Sequence, residues 1–390
     1  MVVPYELTHA TYARPILRFL SRTFGRTILL TFQERVFPDL SEDTLLLLAE
    51  DRGGSDGVLA WRDIPSARDL VALGSALADG NGKGLQRLDP VAICGGTERL
   101  IRYVLPPSVR ELYDCLTRRK QVARLGDVAD VGIGYVSGAN EFFHLSPAAA
   151  AEWGIARRHL RPAVRRGRVL RGLQFSKGDW RAALPSGGTG YLLHVGREVT
   201  PDSRLAQYLS EGERQGVPEA YKCRVRSPWY RVPHVRVPDA FLTYMNGRNP
   251  RLVANQAKAV APNNLHMVTL HPMSGLKGTD LAALWCNSLT RLSAEIEGHA
   301  LGGGMLKLEP SEARNVCLPV PQGLDLCCLA KEMDKLCRQG KVSEATHLGD
   351  REILTRGLDL SKRQVASLAE GAEVLLQRRY HRGRKARHAV

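Results

Sequence analysis

The stretch that most constrains the fold of this chain is residues 131–147, because it combines β-type residues, a turn and a helix start. A short β-type run ends at Val136, and Ser137-Gly138-Ala139-Asn140 follows as turn chemistry, since Gly and Asn tolerate positive φ. The apolar run then resumes, and Ser146-Pro147 is typical of a helix start. The pattern predicts a tight loop between two strands that presents Ser137, Asn140 and Phe142. Periodicity by itself favours a plain hairpin with a buried phenylalanine pair.

Seven arginines follow within residues 157–171, and no carboxylate lies among them. Helical spacing places Arg157, Arg161 and Arg165 on one face. Such a face repels itself unless an anion lies opposite. Nucleic-acid phosphates are the natural partner, with one or two arginines available for base edges. The alternative is an ordinary solvated basic face.

The charge of the whole chain agrees with a polyanionic partner. The 390 residues include 55 Lys and Arg against 40 Asp and Glu, a net charge of +15, and 44% of them are apolar. A basic chain with this apolar content is more typical of a globular nucleic-acid binder than of a disordered tail. An arginine-rich proteome from a GC-rich genome would give the same balance, so charge alone leaves both explanations open.

A second stretch, residues 222–236, interleaves basic and aromatic side chains on β-type sequence. Trp229 and Arg231 are its candidate nucleic-acid contacts, because aromatic rings stack on bases while arginines hold the backbone. The aromatic residues would equally suit a protein core. A tight turn at residues 246–251, typical of a hairpin tip, adds Arg248 as a further candidate.

The first 65 residues have an α/β pattern. Residues 12–21 predict a helix with Tyr12, Ile16, Phe19 and Leu20 on its apolar face. Phe37 lies in a loop between two predicted strands, where it is either a ring for stacking on an extruded base or a plug at the sheet edge. Continuous apolar runs predict a sheet covered on both faces, with strands at residues 2–4, 27–32, 45–49 and 58–61.

Composition divides the rest of the chain into a connecting segment at residues 66–120, a binding domain at 121–321 and a helical segment at 322–390. The last segment ends in a basic tail from Arg378, which we expect to stay disordered until it meets nucleic acid. The eight cysteines form no C-x-x-C pair, which argues against a zinc site and against a secreted disulfide framework. Without a signal peptide or a long apolar run, we expect a cytoplasmic protein that does not bind membranes.

A family resemblance now becomes visible. Ser-Gly-Ala-Asn-Glu-Phe-Phe at 137–143, the basic stretch after it, Pro228-Trp229-Tyr230 and Leu-Pro-Val-Pro at 318–321 resemble the target-recognition domain of amino-type, adenine-specific DNA methyltransferases of restriction–modification systems. Val3-Pro4 and Val36-Phe37-Pro38 resemble the rear part of that family's catalytic domain. The resemblance implies an α/β fold, with a partial Rossmann-like methyltransferase sheet in residues 1–65, a mixed α+β recognition domain and a helical C-terminal segment.

The same resemblance implies sequence-specific binding of double-stranded DNA, within an enzyme that transfers a methyl group from S-adenosylmethionine to the exocyclic amine of a flipped adenine. Phe37 would then pack against the flipped base. The other candidates would contact DNA, and they are Ser137, Asn140, Phe142, Arg157, Arg161, Arg165, Trp229, Arg231 and Arg248.

Two motifs of the family do not occur in this sequence, the Gly-rich cofactor loop and the Asn/Asp-Pro-Pro-Tyr/Phe loop. Asn249-Pro250 is followed by Arg251, and Gly302-Gly303-Gly304 lies outside a strand-to-helix context. In the family both motifs precede the matching region. We therefore expect this chain alone to bind DNA without a cofactor, without a metal and without methylating it, and to act with an upstream methyltransferase half or a restriction nuclease.

Two other functions stay open on the sequence. One is a non-enzymatic DNA specificity subunit that recruits a nuclease or another enzyme. The other is an RNA-binding chain in which Phe142, Phe143 and Trp229 stack on single-stranded bases.

Overall fold

The computed structural model describes residues 1–8, 10–34, 36–37, 44–54, 57–78, 84–196 and 199–383. Contacts divide the chain into two compact units. The first unit consists of Met1–Arg118, Leu292–Lys307 and Ala366–Val390, and the second of Arg119–Arg291 and Leu308–Val365. The first unit is thus assembled from three separated parts of the sequence.

The architecture is mixed α/β with several separate sheets. The helices are α1 Arg14–Thr23, α2 Leu70–Ala78, α3 Pro90–Gly95, α4 Pro107–Thr117, α5 Leu125–Val128, α6 Asn140–Phe143, α7 Pro147–Glu152, α8 Lys177–Ala182, α9 Ser203–Arg214, α10 Tyr221–Arg224, α11 Gly278–Trp285, α12 Ser288–Glu297, α13 Pro310–Asn315, α14 Leu326–Arg338, α15 Val342–Gly349 and α16 Lys362–Gly383. The strands are β1 Val2–Pro4, β2 Phe24–Phe32, β3 Thr44–Arg52, β4 Val58–Ile64, β5 Gln86–Arg87, β6 Val122–Arg124, β7 Ala129–Ile133, β8 His144–Leu145, β9 Leu160–Val164, β10 Gln174–Phe175, β11 Thr189–Leu193, β12 Ala240–Thr243, β13 Met245–Asn246, β14 Leu252–Asn255, β15 Leu265–Leu270, β16 His299–Leu301, β17 Met305–Lys307 and β18 Cys317–Pro319.

The sheet of the first unit has the strand order β1-β3-β2-β4-β5. Strand β3 is antiparallel to both β1 and β2, whereas β2 and β4 run parallel. Leu29 belongs to the core cluster on one face of β2, and Ile28 and Leu30 belong to the cluster on the other. The strands predicted in residues 1–65 are therefore confirmed. Burying a leucine or isoleucine side chain of β2 contributes about 1.5–3 kcal/mol to the free energy of folding.

Helix α1 packs differently from the prediction. Ala13 and Leu17 face the core, whereas Tyr12, Ile16 and Phe19 are 67%, 48% and 60% exposed. The predicted inward face is therefore wrong for these three residues, whereas Leu20 packs beside Leu17 against the core as predicted.

The second unit has two main sheets, β10-β14-β12-β15-β7 and β8-β11-β9. A further antiparallel pair joins β6 to β18, so that the two ends of the predicted domain at residues 121–321 meet. The segment after β18 is helical as predicted and continues from α15 into a π-helix at Asp350–Gly357. Gly340 has φ +79 and ends α14, also as predicted.

Arg338 fastens α14 to the rest of the second unit. Its Nε donates to Asp334 at 2.6 Å, one amino group donates to Asp179 at 2.6 Å, and the other donates to the carbonyl of Gln174 at 2.8 Å. Asp334 in turn accepts the backbone N–H groups of Leu173 and Gln174 at 2.8 and 3.0 Å. These carboxylates raise the pKa of Arg338 above its ordinary value, so its charge is permanent.

The basic stretch at the end of α16 is folded rather than disordered. Arg378, Arg379 and Arg382 are 9%, 4% and 6% exposed. Arg378 donates to Asp63 at 2.6 Å and Arg379 donates to Glu295 at 2.7 Å. The prediction of a disordered tail is therefore wrong at these positions, because carboxylates distant in sequence pair with the arginines. The rest of the predicted tail, residues 384–387, lies outside the described residues. Within the described part of the chain, no helix is long and apolar enough to cross a membrane.

The buried pair of Arg379 and Glu295 yields a stability prediction. Glu295→Gln leaves a buried guanidinium without its countercharge, which should lower the free energy of unfolding of the first unit by about 3 kcal/mol. Urea unfolding followed by tryptophan fluorescence measures the change. Glu50→Gln is the matched control, because Glu50 pairs with Arg26 at 3.6 Å on the exposed surface of the same unit and should cost less than about 1 kcal/mol. Equal effects of the two substitutions would contradict the prediction.

Candidate nucleic-acid interface

The loop at residues 134–143 joins two different sheets. Strand β7 pairs with β15 and β8 pairs with β11, while residues 140–143 form the single turn α6. The predicted hairpin is therefore wrong, because both strands find other partners across a ten-residue connection. Gly134 lets the chain leave β7 closely, since a Cβ there would lie 2.2 Å from the carbonyl oxygen of Ala261.

Arg226 fixes the shape of this loop. Its two amino groups donate to the carbonyls of Val136 and Ser137 at 2.5 and 2.7 Å. The buried hydroxyl of Ser137 donates to Oδ1 of Asn140 at 2.5 Å. Asn140 itself is exposed, so the loop presents one oriented amide to solvent. An oriented amide is the group that pairs with adenine edges in DNA.

Phe142 lies in the core of the second unit and not on its surface. The ring is 6% exposed and stacks on Tyr208 with ring centres 4.6 Å apart. The Tyr208 hydroxyl donates to the Phe142 carbonyl at 2.6 Å. Helix α9 closes over the ring at Gly212, where a Cβ would lie 2.5 Å from it. The prediction that Phe142 contacts nucleic acid is thus wrong, and the buried phenylalanine pair is confirmed.

Trp229 and Arg231 are half-buried in a stretch without regular structure, residues 225–238. The β-type structure predicted there is wrong. Trp229 rests against Phe142 at 5.5 Å between ring centres and donates from Nε1 to Glu213 at 3.3 Å. One side of the indole therefore belongs to the core. Arg231 Nε is buried and, among the described residues, has no hydrogen-bond partner.

The arginines at 157, 161 and 165 do not lie on a helix. Arg157–His159 form a short 3₁₀ turn, and Leu160–Val164 form β9, which pairs antiparallel with β11. The predicted helix is wrong because Pro162 removes a backbone donor inside it. Arg157 and Arg161 are exposed and Arg165 is half-buried. The guanidinium of Arg157 lies 4.7 Å above the ring of Tyr191, which holds it in place.

Arg165 points toward a buried pair of ring residues. The Tyr135 hydroxyl and His144 Nε2 are 2.9 Å apart. Burial, and secondarily Arg165, lower the pKa of His144 to about 4. Burial raises the pKa of Tyr135. Both rings are therefore neutral near pH 7, and the pair supports β8 rather than exchanging protons with a ligand.

The structure brings part of the predicted site together. Ser137, Asn140 and Trp229 share the cluster around Arg226 and Phe142. Leu192 of β11 pairs with Arg161 of β9 on one side and with His144 of β8 on the other. Two strand spacings, about 10 Å, therefore separate Arg161 from β8, the strand that follows Asn140. Arg248 is exposed in the turn between β12 and β14 and belongs to the other sheet.

Phe37 lies in the first unit, after β2, and its side chain is 39% exposed. Residues 38–43 are outside the described residues. The prediction that Phe37 stacks on a base remains a prediction.

The sequence does not predict the structural role of Arg226, which shapes the loop at residues 136–140. Arg226 lies in a basic stretch, and no spacing distinguishes an arginine that turns inward from one that stays in solvent. Among the described residues, no group of three or more His, Cys, Asp or Glu side chains is placed to hold a metal ion.

Comparison with known families assigns the chain. A family model described as the C-terminal domain of Type II methyltransferase M.Eco57I matches residues 97–354, which is more than half of the sequence. The chain belongs to this family. The match confirms the resemblance to methyltransferases of restriction–modification systems.

Individual relatives are distant. The chain is 21% identical over 321 residues to the Type II methyltransferase M.AccI of Acinetobacter calcoaceticus, covering 80% of this chain and 57% of that protein. It thus spans little more than half the length of that relative. Among solved structures it is similar to the type IIG restriction endonuclease BpuSI, at 15% identity, a TM-score of 0.48 and coverage of 98% and 47% of the two chains. It is also similar to the Type IIL restriction-modification enzyme MmeI in complex with DNA, at 10% identity, a TM-score of 0.48 and coverage of 97% and 49%.

The buried histidine yields a prediction on pH. The pKa of His144 is about 4 in the folded chain and about 6.5 when unfolded. Only the unfolded state takes up the proton between these values, so the stabilisation present above pH 6.5 should be lost as pH falls to 4, by about 3 kcal/mol. We expect the difference in unfolding free energy between wild type and His144→Gln to shrink by that amount from pH 7 to pH 4.

Urea unfolding at a series of pH values measures this difference. His347, exposed on α15, provides the control, since His347→Gln should follow the wild-type profile. Parallel profiles for wild type and His144→Gln would show that His144 does not carry the effect.

Proposed function

We propose that this chain recognises double-stranded DNA as part of an adenine-specific DNA methyltransferase of a restriction–modification system. The observation that carries the proposal is the family match over residues 97–354, which includes nearly all of the second unit. Inside that region, the exposed and oriented groups are Asn140, Arg157 and Arg161.

These groups suit different parts of a duplex. Arg157 and Arg161 would neutralise backbone phosphates, and Arg157 is already positioned by Tyr191. Asn140 would pair with a base edge, because Ser137 orients the amide through one lone pair of Oδ1 and leaves the second lone pair and the NH₂ group available. Trp229, Arg231 and Arg248 are the remaining exposed or partly exposed candidates. Phe142 and Arg165 would act from behind the surface, by supporting the loop and β8.

For the first unit we propose the rear part of a Rossmann-like catalytic domain. In support, β3 is antiparallel to both of its neighbours and β2 is followed by the segment that carries Phe37. The reaction would be methyl transfer from S-adenosylmethionine to the exocyclic amine of adenine, with the base flipped out of the duplex and Phe37 stacked on it. Such a protein would act in the cytoplasm, where the DNA is.

The cofactor does not fit the glycine-rich segment of this chain. Gly302–Gly304 form a 3₁₀ turn between β16 and β17, and not a strand-to-helix loop. Gly304 has φ +74 and lies against α16, where a Cβ would come within 2.8 Å of Tyr380. Its backbone freedom therefore serves helix packing. S-adenosylmethionine and the target amine would be held by an upstream methyltransferase half, in line with the 57% coverage of M.AccI.

The DNA-binding part of the proposal is tested by measuring the binding constant K at a series of salt concentrations, on a duplex selected for binding by the wild-type chain. Arg161→Ala should lower the slope of log K against log salt by about 0.9, equally on all sequences, while Arg161→Lys keeps the slope. Asn140→Ala should instead weaken the preference for the selected sequence and leave the slope unchanged. Equal retention of random duplex and heparin by the wild type, at every salt concentration, would remove sequence recognition from the proposal.

The catalytic part is tested with labelled S-adenosylmethionine. The purified chain should bind duplex DNA and transfer no methyl groups to it, because methyl transfer requires the sulfonium carbon and the amine nitrogen to be held in line and nearly touching. Adding an upstream half as a second polypeptide should restore transfer. Methyl transfer by the chain alone would contradict the proposal that an upstream half holds the cofactor. A nuclease gene beside the gene of this chain, without a gene for such a half, would favour a specificity subunit.

A further inference from the structure

A groove of about 620 Å³ opens on the second unit beside the predicted arginine surface. Three arginines, one carboxylate and one hydroxyl line it, namely Arg168, Arg171, Arg338, Asp179 and Ser186. Arg168 and Arg171 belong to the basic stretch at residues 157–171, but neither is among the individual DNA contacts predicted from the sequence. The groove is therefore a separate candidate site with a basic lining.

The carboxylate in the wall is hydrogen-bonded to Arg338, which it shares with Asp334. Asp179 accepts from Arg338 at 2.6 and 3.1 Å, and from the backbone and hydroxyl of Ser176 at 2.8 Å each. Burial tends to raise the pKa of Asp179, but these donors outweigh it and hold the pKa below its ordinary value. Asp179 thus stays charged and hydrogen-bonded. Together with Asp334, which shares Arg338, two carboxylates face three arginines, and the cluster keeps a net positive charge of one.

Arg168 and Arg171 are exposed, and within the described ranges neither has an ion pair. Their guanidinium groups offer planar sets of donors that match phosphate oxygens. In such a position, two unpaired cations three residues apart remain solvated unless an anion enters the groove.

The backbone that carries the two arginines is held on both sides. Arg251 donates to the carbonyl of Leu170 at 2.6 Å, and Asp334 accepts the N–H of Leu173 at 2.8 Å. Gly172 leaves room for that carboxylate, since a Cβ would lie 2.1 Å from Asp334 Oδ1. Because the rim is fixed before a ligand arrives, little ordering entropy is lost on binding.

We propose that this groove binds the phosphodiester backbone of DNA, with Arg168 and Arg171 each neutralising one phosphate. The inference rests on the proposed function and extends its footprint beyond Arg157 and Arg161. The volume of the groove exceeds that of one phosphate group and suits several consecutive nucleotides of the backbone, whereas an enclosed pocket for a single anion would be smaller.

The test is the salt dependence of binding to a DNA duplex of about 30 base pairs, which is about three helical turns. The double substitution Arg168→Ala with Arg171→Ala should lower the slope of log K against log salt by about 1.8, at about 0.9 for each phosphate. The double lysine variant should keep the wild-type slope. Arg204→Ala is the control, because Arg204 is exposed on α9 outside the groove and should leave the slope unchanged.

Hydrogen exchange adds a second measurement that does not depend on a variant. DNA should slow exchange of the amides at residues 166–173 in the wild type. Wild-type binding to DNA together with an unchanged slope in the alanine pair would overturn the groove alone. If the double alanine variant loses binding only to single-stranded RNA, the groove is an RNA site and the proposal is overturned. Absence of DNA binding by the wild type would overturn the proposed function, and the groove with it.

Discussion

The core of the first unit depends on the ion pairs that α16 makes through Arg378 and Arg379. Arg378 meets Asp63, which also accepts from Thr31 at 2.6 Å, and Thr31 accepts from Trp61 at 3.0 Å. A charge removed from water is tolerated only when it is paired and hydrogen-bonded, so each of these partners is needed for the others to stay buried. The sheet, the last helix and residues 292–307 are thereby fixed as one body.

Arginine has two distinct uses in this chain, and the net charge of +15 does not separate them. Arg226, Arg378 and Arg379 turn inward and hold carbonyl or carboxylate oxygens, and the exposed Arg338 does the same at the surface. Arg157, Arg161, Arg168 and Arg171 stay in solvent within one short stretch of the second unit. The DNA-binding proposal therefore stands on the position of a few guanidinium groups, and the overall basicity adds little to it.

The sequence predicted the local elements better than their partners. Continuous apolar runs correctly located β1 to β4, and the turn at residues 246–251 joins β12 to β14 as expected. The arginine helix failed because a spacing of four also fits a strand, and Pro162 decided between them. The hairpin failed because strand pairing is set by distant residues. Whether Phe142 points inward depends on Gly212 of α9, which no pattern around Phe142 reveals.

The segmented construction of the first unit has a consequence for biosynthesis. Its opening strands leave the ribosome before the second unit, yet Glu295 and the arginines of α16 that complete its core follow only later in the chain. The second unit, which lies between, has all of its residues available earlier and would form while the opening sheet still lacks its last helix. Loss of the final two turns of α16 would consequently destabilise strands that were translated before the whole second unit.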